Sequence, residues 1–198
     1  IRGRAVLFAS GVQWRRLDVS GIDDLLGAGV YYGAGPSEAL ACTDSRVVVV
    51  GGGNSAGQAV VRFSRYAQQV TLLVRGRDLG ASMSHYLIDQ VTAIPNVEVR
   101  VRTQVVGVEA DDHLRGIIVR SGDATEPVRL PVDALFICIG GIPRTDGAAG
   151  SGLVTNTAGY LVTGGDAASA PGSSWPLPRE PLPLETSWPG VFAAGDVR

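Results

Sequence analysis

Hydrophobic and polar positions change period several times along the chain, and the changes outline an α/β protein. Residues 47–50 are a fully apolar, β-branched run of four valines, the pattern of a strand buried on both faces. The run opens directly into Gly51-Gly52-Gly53-Asn54-Ser55-Ala56-Gly57-Gln58-Ala59, a glycine turn leading into helix-forming sequence. Helical patterning continues over 59–67, and 69–74 reads as a second strand, so 46–74 predicts a complete βαβ unit. The next helix is expected over 81–91, stopped before Pro95, and 97–101 alternates as a third strand. The period then falls to two. Short runs at 104–109, 114–119 and 127–130, separated by the turn signals Asp111-Asp112 and Ser121-Gly122-Asp123, predict an antiparallel meander. Residues 132–139 return to a continuous apolar strand that ends in Gly140-Gly141-Ile142-Pro143. Prolines crowd 171–189 and predict extended surface structure; a peptide-ligand motif is the weaker reading there. The fold class expected is α/β, a Rossmann-like three-layer arrangement on a parallel sheet with an inserted antiparallel β-meander.

The glycine turn carries the chemistry. Gly51 permits the tight turn, Gly53 lets the backbone approach a pyrophosphate with no side chain between, and the small Ala56 lets the helix pack close to the strand. The backbone N–H groups of Asn54, Ser55 and Ala56 are then orphan donors at a positive helix terminus, facing bound phosphate. A glycine turn alone is weak evidence; the flanking strand, helix and strand decide for a nucleotide site over a structural turn. Ile139 and Gly140, at the end of the late apolar strand, are placed to line the same crevice, because ligands of open α/β sheets bind beyond the carboxyl ends of the strands. An ordinary loop is the alternative there.

The tip of the second strand selects between dinucleotides. An acid at this place accepts from the ribose hydroxyls of NAD, but the chain reads Val74-Arg75-Gly76-Arg77-Asp78. Two guanidinium groups suit the additional phosphate of NADP, with solvated loop charges as the competing reading. Asp78 lies past the strand tip and is expected to be the N-cap or first-turn residue of the following helix.

Composition narrows the classes. The 198 residues are 45% hydrophobic and 18% charged, which suits a globular chain, with one compact domain as the expected count. A net charge of -2 without a basic block argues against nucleic acid as a partner. No apolar run reaches the length of a membrane span. The chain starts Ile1-Arg2-Gly3-Arg4, without a methionine or a signal peptide, and reads as a fragment. Cys42 and Cys138 are too far apart in sequence and setting to make a disulfide framework, and with His85 and His113 they form no metal-ligand spacing. Cys138 reads as a small hydrophobe in a buried strand, Cys42 as incidental, and both histidines as solvated.

In order, these features resemble the flavin-containing pyridine-nucleotide disulfide oxidoreductases, most closely the thioredoxin reductases and their relatives. Residues 5–12 with 16–21 look like that family's strand leading out of the FAD domain. Residues 51–59 with 72–78 are similar to its NADPH site, 140–145 to its "IGxxPNT" segment, and 186–197 to its FAD-contacting strand and turn, where Gly195 and Asp196 would meet the flavin's ribityl chain. The resemblance implies NADPH as cofactor, FAD as a second cofactor in the intact protein only, a cytoplasmic setting, and a homodimer when intact.

The departures are as informative. A Cys-x-x-Cys pair is expected after Gly29-Val30-Tyr31-Tyr32, and Gly33-Ala34-Gly35-Pro36-Ser37-Glu38 stands there with no thiol; Cys42 alone cannot make the intramolecular disulfide that exchange requires. Gly76 and Ala81 also replace basic residues at the phosphate site, leaving Arg75 and Arg77 as its carriers. The organisation expected is 1–45 as a residual FAD-domain strand and connection, 46–165 as the NAD(P)-binding domain, and 166–198 as a proline-rich connection and a second residual FAD-domain strand. The function expected is the NADPH-binding domain of an FAD-dependent, thioredoxin-reductase-like oxidoreductase, inactive as a fragment. No catalytic side chain and no metal is assigned, since the redox chemistry belongs to the cofactors. The electron acceptor, whether a protein or a small molecule, is left open. A non-catalytic NAD(P)-sensing module is the alternative; a flavin monooxygenase is disfavoured by the spacing between Ser10-Gly11 and the glycine turn.

Overall fold

A computed structural model describes residues 3–122, 124 and 126–198; Ile1, Arg2, Thr125 and Asp123 of the second predicted meander turn lie outside the described residues. In chain order the elements are β1 (Val6–Phe8), β2 (Val12–Trp14), β3 (Val30–Tyr32), α1 (Pro36–Ala41), β4 (Arg46–Val50), α2 (Asn54–Phe63), β5 (Gln69–Leu73) and α3 (His85–Ala93). They continue with β6 (Val97–Arg100), β7 (Thr103–Ala110), β8 (Leu114–Ser121), β9 (Val128–Pro131), β10 (Ala134–Ile137), β11 (Gly141–Pro143), α4 (Gly165–Ser169) and β12 (Val191–Ala193).

Where one compact domain was expected, the chain forms two compact units: Arg16–Gly140, and Ile1–Arg15 together with Gly141–Arg198. The expected boundaries fell at 45 and 165. The difference has a cause in strand pairing. Residues 16–45 contribute β3, which pairs with β10, while β11 just after Gly140 pairs with β2.

The larger unit is built on a five-stranded parallel sheet in the order β3-β10-β4-β5-β6. Its central strand explains the unbroken valine run. Val47 and Val49 pack into the core beneath the helices with Phe63, Leu72 and Phe136, while Val48 and Val50 enter a second core with Leu114, Ile117 and Val119 of the meander. Helices, parallel sheet and antiparallel meander (β7-β8-β9) are therefore three layers sharing two apolar seams, as the alternation of side chains across a strand requires. Phe136 is stacked on Tyr31 at 5.1 Å and tilted against Phe63 at 4.2 Å.

Two expectations about elements are corrected. Helix α3 begins at His85, after an extended Ser84, and not at 81, because residues 79–83 close a separate turn with Met83 N–H donating to the Leu79 carbonyl at 3.1 Å. Asp78 caps that turn through the Ala81 N–H at 3.2 Å and is not the N-cap of α3. The short helix α4 was not expected, since its five residues carry too little periodicity to register.

The smaller unit holds a parallel pair, β1 with β12, an antiparallel pair, β2 with β11, and a modest core of Ala148, Leu161, Ala193 and Val197 flanked by Phe8 and Leu153. Its proline-rich segment is fastened by a buried carboxylate. Glu185, whose side chain is 1% exposed, accepts from both Arg179 guanidinium nitrogens at 2.7 and 3.0 Å. It also accepts from the Leu182 and Gly190 N–H groups, each at 2.8 Å. Trp175 stacks beneath Arg179 at 5.3 Å and donates its indole N–H to the Arg179 carbonyl at 2.6 Å.

Candidate nucleotide site

Strand β4 has β5 and β6 on one side and β10 and β3 on the other, so the chain order reverses between β4 and β10. That is the topological switch point at which open α/β sheets leave a crevice. The glycine turn leaves the end of β4 here, and the Cys138 N–H bonds to the Val50 carbonyl at 2.8 Å, bringing 138–140 alongside it. Gly51 (φ +152°) is pressed against this neighbour: a Cβ there would stand 2.3 Å from the Cys138 carbonyl oxygen and 3.0 Å from the Ala56 Cβ. The protein's own packing thus demands glycine at 51.

Gly53 differs. Its φ of −96° is open to any residue, and a Cβ there would meet only the Ser82 carbonyl oxygen, at 3.8 Å. Nothing in the fold requires a glycine, and the space it leaves lies at the start of α2. No side chain caps that start. The first intrahelical bond runs from the Gly57 N–H to the Gly53 carbonyl at 3.1 Å, so the N–H groups of Asn54, Ser55 and Ala56 are the terminal donors of the helix. Asn54 and Ser55 are exposed while Ala56 is fully buried against the strand.

Beyond β5 the chain enters the loop 75–84. Arg75 and Arg77 are both exposed, and neither forms an ion pair among the described residues. The loop is fastened to the glycine turn: Ser82 Oγ donates to the Gly52 carbonyl at 2.9 Å, and the Ser84 N–H donates to Asn54 Oδ1 at 2.8 Å. Glycine turn, helix start, arginine loop, Ile139 and Gly140 are thereby all set around one end of the parallel sheet. Gly140 (φ +88°) has no atom near a built Cβ. Gly195 and Asp196 belong to the other unit, where they follow β12 in an exposed turn with Gly195 at φ +74°.

Comparison with known proteins matches all of residues 1–198 to the family described as pyridine nucleotide-disulphide oxidoreductase. The chain belongs to that family. It is 33% identical over 196 residues to the thioredoxin reductase of Streptomyces coelicolor, covering 99% of this chain and 55% of that protein. To the thioredoxin reductase of Listeria monocytogenes serovar 1/2a it is 31% identical over 201 residues, covering 100% and 56%. Among solved structures, the T. acidophilum thioredoxin reductase superimposes with a TM-score of 0.73 at 26% identity, over 98% of this chain and 57% of that one. The chain thus spans about half the length of these relatives.

This member of the pyridine nucleotide-disulphide oxidoreductases has no thiol where a redox pair was looked for, at 33–38. Its two cysteines are buried and free. Burial pushes the Cys138 thiol up to about 11, and burial, then the nearby Glu38 and Asp133 carboxylates, raise that of Cys42. Both stay protonated near neutrality and are poor nucleophiles. The described residues contain no cluster of metal-ligating side chains and no helix long and apolar enough to cross a membrane.

Sequence reasoning missed Ser82, the side-chain role of Asn54, and Met83. One signal was present. Gly57 interrupts α2 in its second turn, where glycine costs about 1 kcal/mol relative to alanine; a Cβ there would lie 3.0 Å from Met83 Sδ and 3.1 Å from its Cε.

Proposed function

We propose that this chain is the NADPH-binding part of an FAD-dependent, thioredoxin-reductase-like oxidoreductase, in which bound NADPH supplies hydride to the flavin of the intact protein. The observation that carries the reading is the space at Gly53. A glycine not required by the surrounding protein, at an uncapped helix start on the switch point of a parallel sheet, fits a pyrophosphate held by the Asn54, Ser55 and Ala56 N–H groups. Arg75 and Arg77, without anionic partners of their own, suit the additional phosphate of NADPH, and Ile139 and Gly140 would line the nucleotide. In the other unit, Gly195 and the exposed Asp196 would meet the flavin. The residues bind, orient and desolvate; none donates or removes a proton. A cytoplasmic setting, homodimeric assembly and an acceptor of electrons, protein or small molecule, follow the same family reading.

The missing Cys-x-x-Cys favours one rival, an NAD(P)-sensing module without turnover. Full-length protein decides between them. The expected result is a flavin absorption spectrum that NADPH bleaches under anaerobic conditions. Protein that binds NADPH at micromolar concentration yet stays colourless after reconstitution with FAD would support the sensing module instead.

A further inference from the structure

The loop that carries Arg75 and Arg77 is more firmly held than its exposure implies. Three fastenings bind its far end to the glycine turn and the first turns of α2. Ser82 Oγ donates to the Gly52 carbonyl at 2.9 Å, Asn54 Oδ1 accepts from the Ser84 N–H at 2.8 Å, and Met83, 4% exposed, plugs the gap over Gly57. Leu79, 7% exposed, is buried in the same core as Met83. Within the loop, Asp78 Oδ1 accepts from the Ala81 N–H at 3.2 Å. At its near end the Arg102 N–H donates to the Gly76 carbonyl at 2.8 Å. Of residues 75–84, Leu79 and Met83 alone turn inward, and the arginines are left outward between anchored ends.

We propose that Ser82, Asn54 and Met83 are positioning residues for dinucleotide selectivity, clamping the arginine loop to the helix start so that the two phosphate-binding regions keep a fixed span. The proposal rests on the nucleotide reading above. A loop free to move would have to be ordered each time Arg75 and Arg77 closed on a phosphate, and that ordering weakens binding. A preformed loop avoids it. NADH lacks the additional phosphate and makes no use of the arginines, so the clamp acts on NADPH alone. Gly57 is the trace of this arrangement in α2: a helix glycine kept small because the loop's methionine lies across it.

The test is a set of NADPH and NADH titrations on full-length protein. Ser82→Ala is expected to weaken NADPH five- to tenfold and NADH less than twofold, and Ser82→Thr, which retains the hydroxyl, to restore NADPH to within twofold of the parent. Gly57→Ala pushes on the end of the Met83 side chain, so it should lower the NADPH-to-NADH preference. Equal losses for both nucleotides, or none, in Ser82→Ala and Gly57→Ala would overturn the clamp. An Arg75→Gln/Arg77→Gln variant separates the two levels. If it loses NADPH selectively while Ser82→Ala does not, the clamp fails and the site stands; if it loses both equally, the site assignment fails and takes the clamp with it.

Discussion

Gly51 and Gly53 stand two residues apart and differ in what holds them glycine: the surrounding packing requires it at 51 and leaves it free at 53, where the proposed nucleotide would require it. Gly51→Ala forces a Cβ to within 2.3 Å of the Cys138 carbonyl at a φ that side chains rarely adopt; the expected cost is about 2 kcal/mol or more of folding stability, read as a lower midpoint in urea. Gly53→Ala should change that midpoint little, within about 1 kcal/mol, yet reduce nucleotide affinity at least tenfold in a titration. Loss of stability without loss of binding at Gly53 would reverse the assignment. Replacing Arg75 and Arg77 together with glutamine should cost NADPH about 1.5–3 kcal/mol of binding, the range for hydrogen bonds to charged groups, and leave NADH unchanged. The packing requirement at Gly51 was legible in the sequence because a backbone requirement is local, and the readings of Gly53, Arg75 and Arg77 rest on equally local signals. Ser82 was not legible: its partner, the Gly52 carbonyl, is thirty positions away in sequence, and a serine in a loop announces nothing.

Elements of one period were read well and mixed ones poorly. The valine run of β4 declared a strand buried on both faces, and the meander declared itself by alternation, so the three-layer α/β architecture followed. Helix α3 was begun too early because Ala81, Ser82, Met83 and Ser84 are compatible with helix, and the burial of Leu79 and Met83 four residues apart is itself a helical spacing; only the extended backbone at Ser84 separates that turn from α3. The role of β3 was invisible, since nothing in Val30-Tyr31-Tyr32 names β10 as its neighbour. That pairing brings Tyr31 onto Phe136, and Phe136 onto Phe63 of α2. Phe136→Ala, at a fully buried position, is expected to destabilise by about 3–5 kcal/mol, measured by chemical denaturation. Phe63→Ala combined with it should cost less than the sum of the two, because the rings share one contact.

At the scale of the molecule, the two compact units carry different sensors of their own folding. The Arg179 guanidinium, through its hydrogen bonds to the carboxylate, holds Glu185 down at about 2 against an ordinary 4.5. A depressed carboxylate stabilises the folded form above its unfolded value, so this contribution is intact above about pH 4.5 and is lost as the pH falls from there through about 2. Glu185→Gln removes the titrating group: acid unfolding followed by tryptophan fluorescence should begin from a lower stability at neutral pH and show a shallower dependence through that window. All three tryptophans, Trp14, Trp175 and Trp188, lie in the same unit as Glu185, so their emission follows that unit. Cys42 and Cys138 both lie in the other. The seclusion of those two thiols makes them a built-in clock: an alkylating reagent added to the native protein should mark them only as fast as Arg16–Gly140 opens, so mass spectrometry can time that unit while fluorescence watches its neighbour.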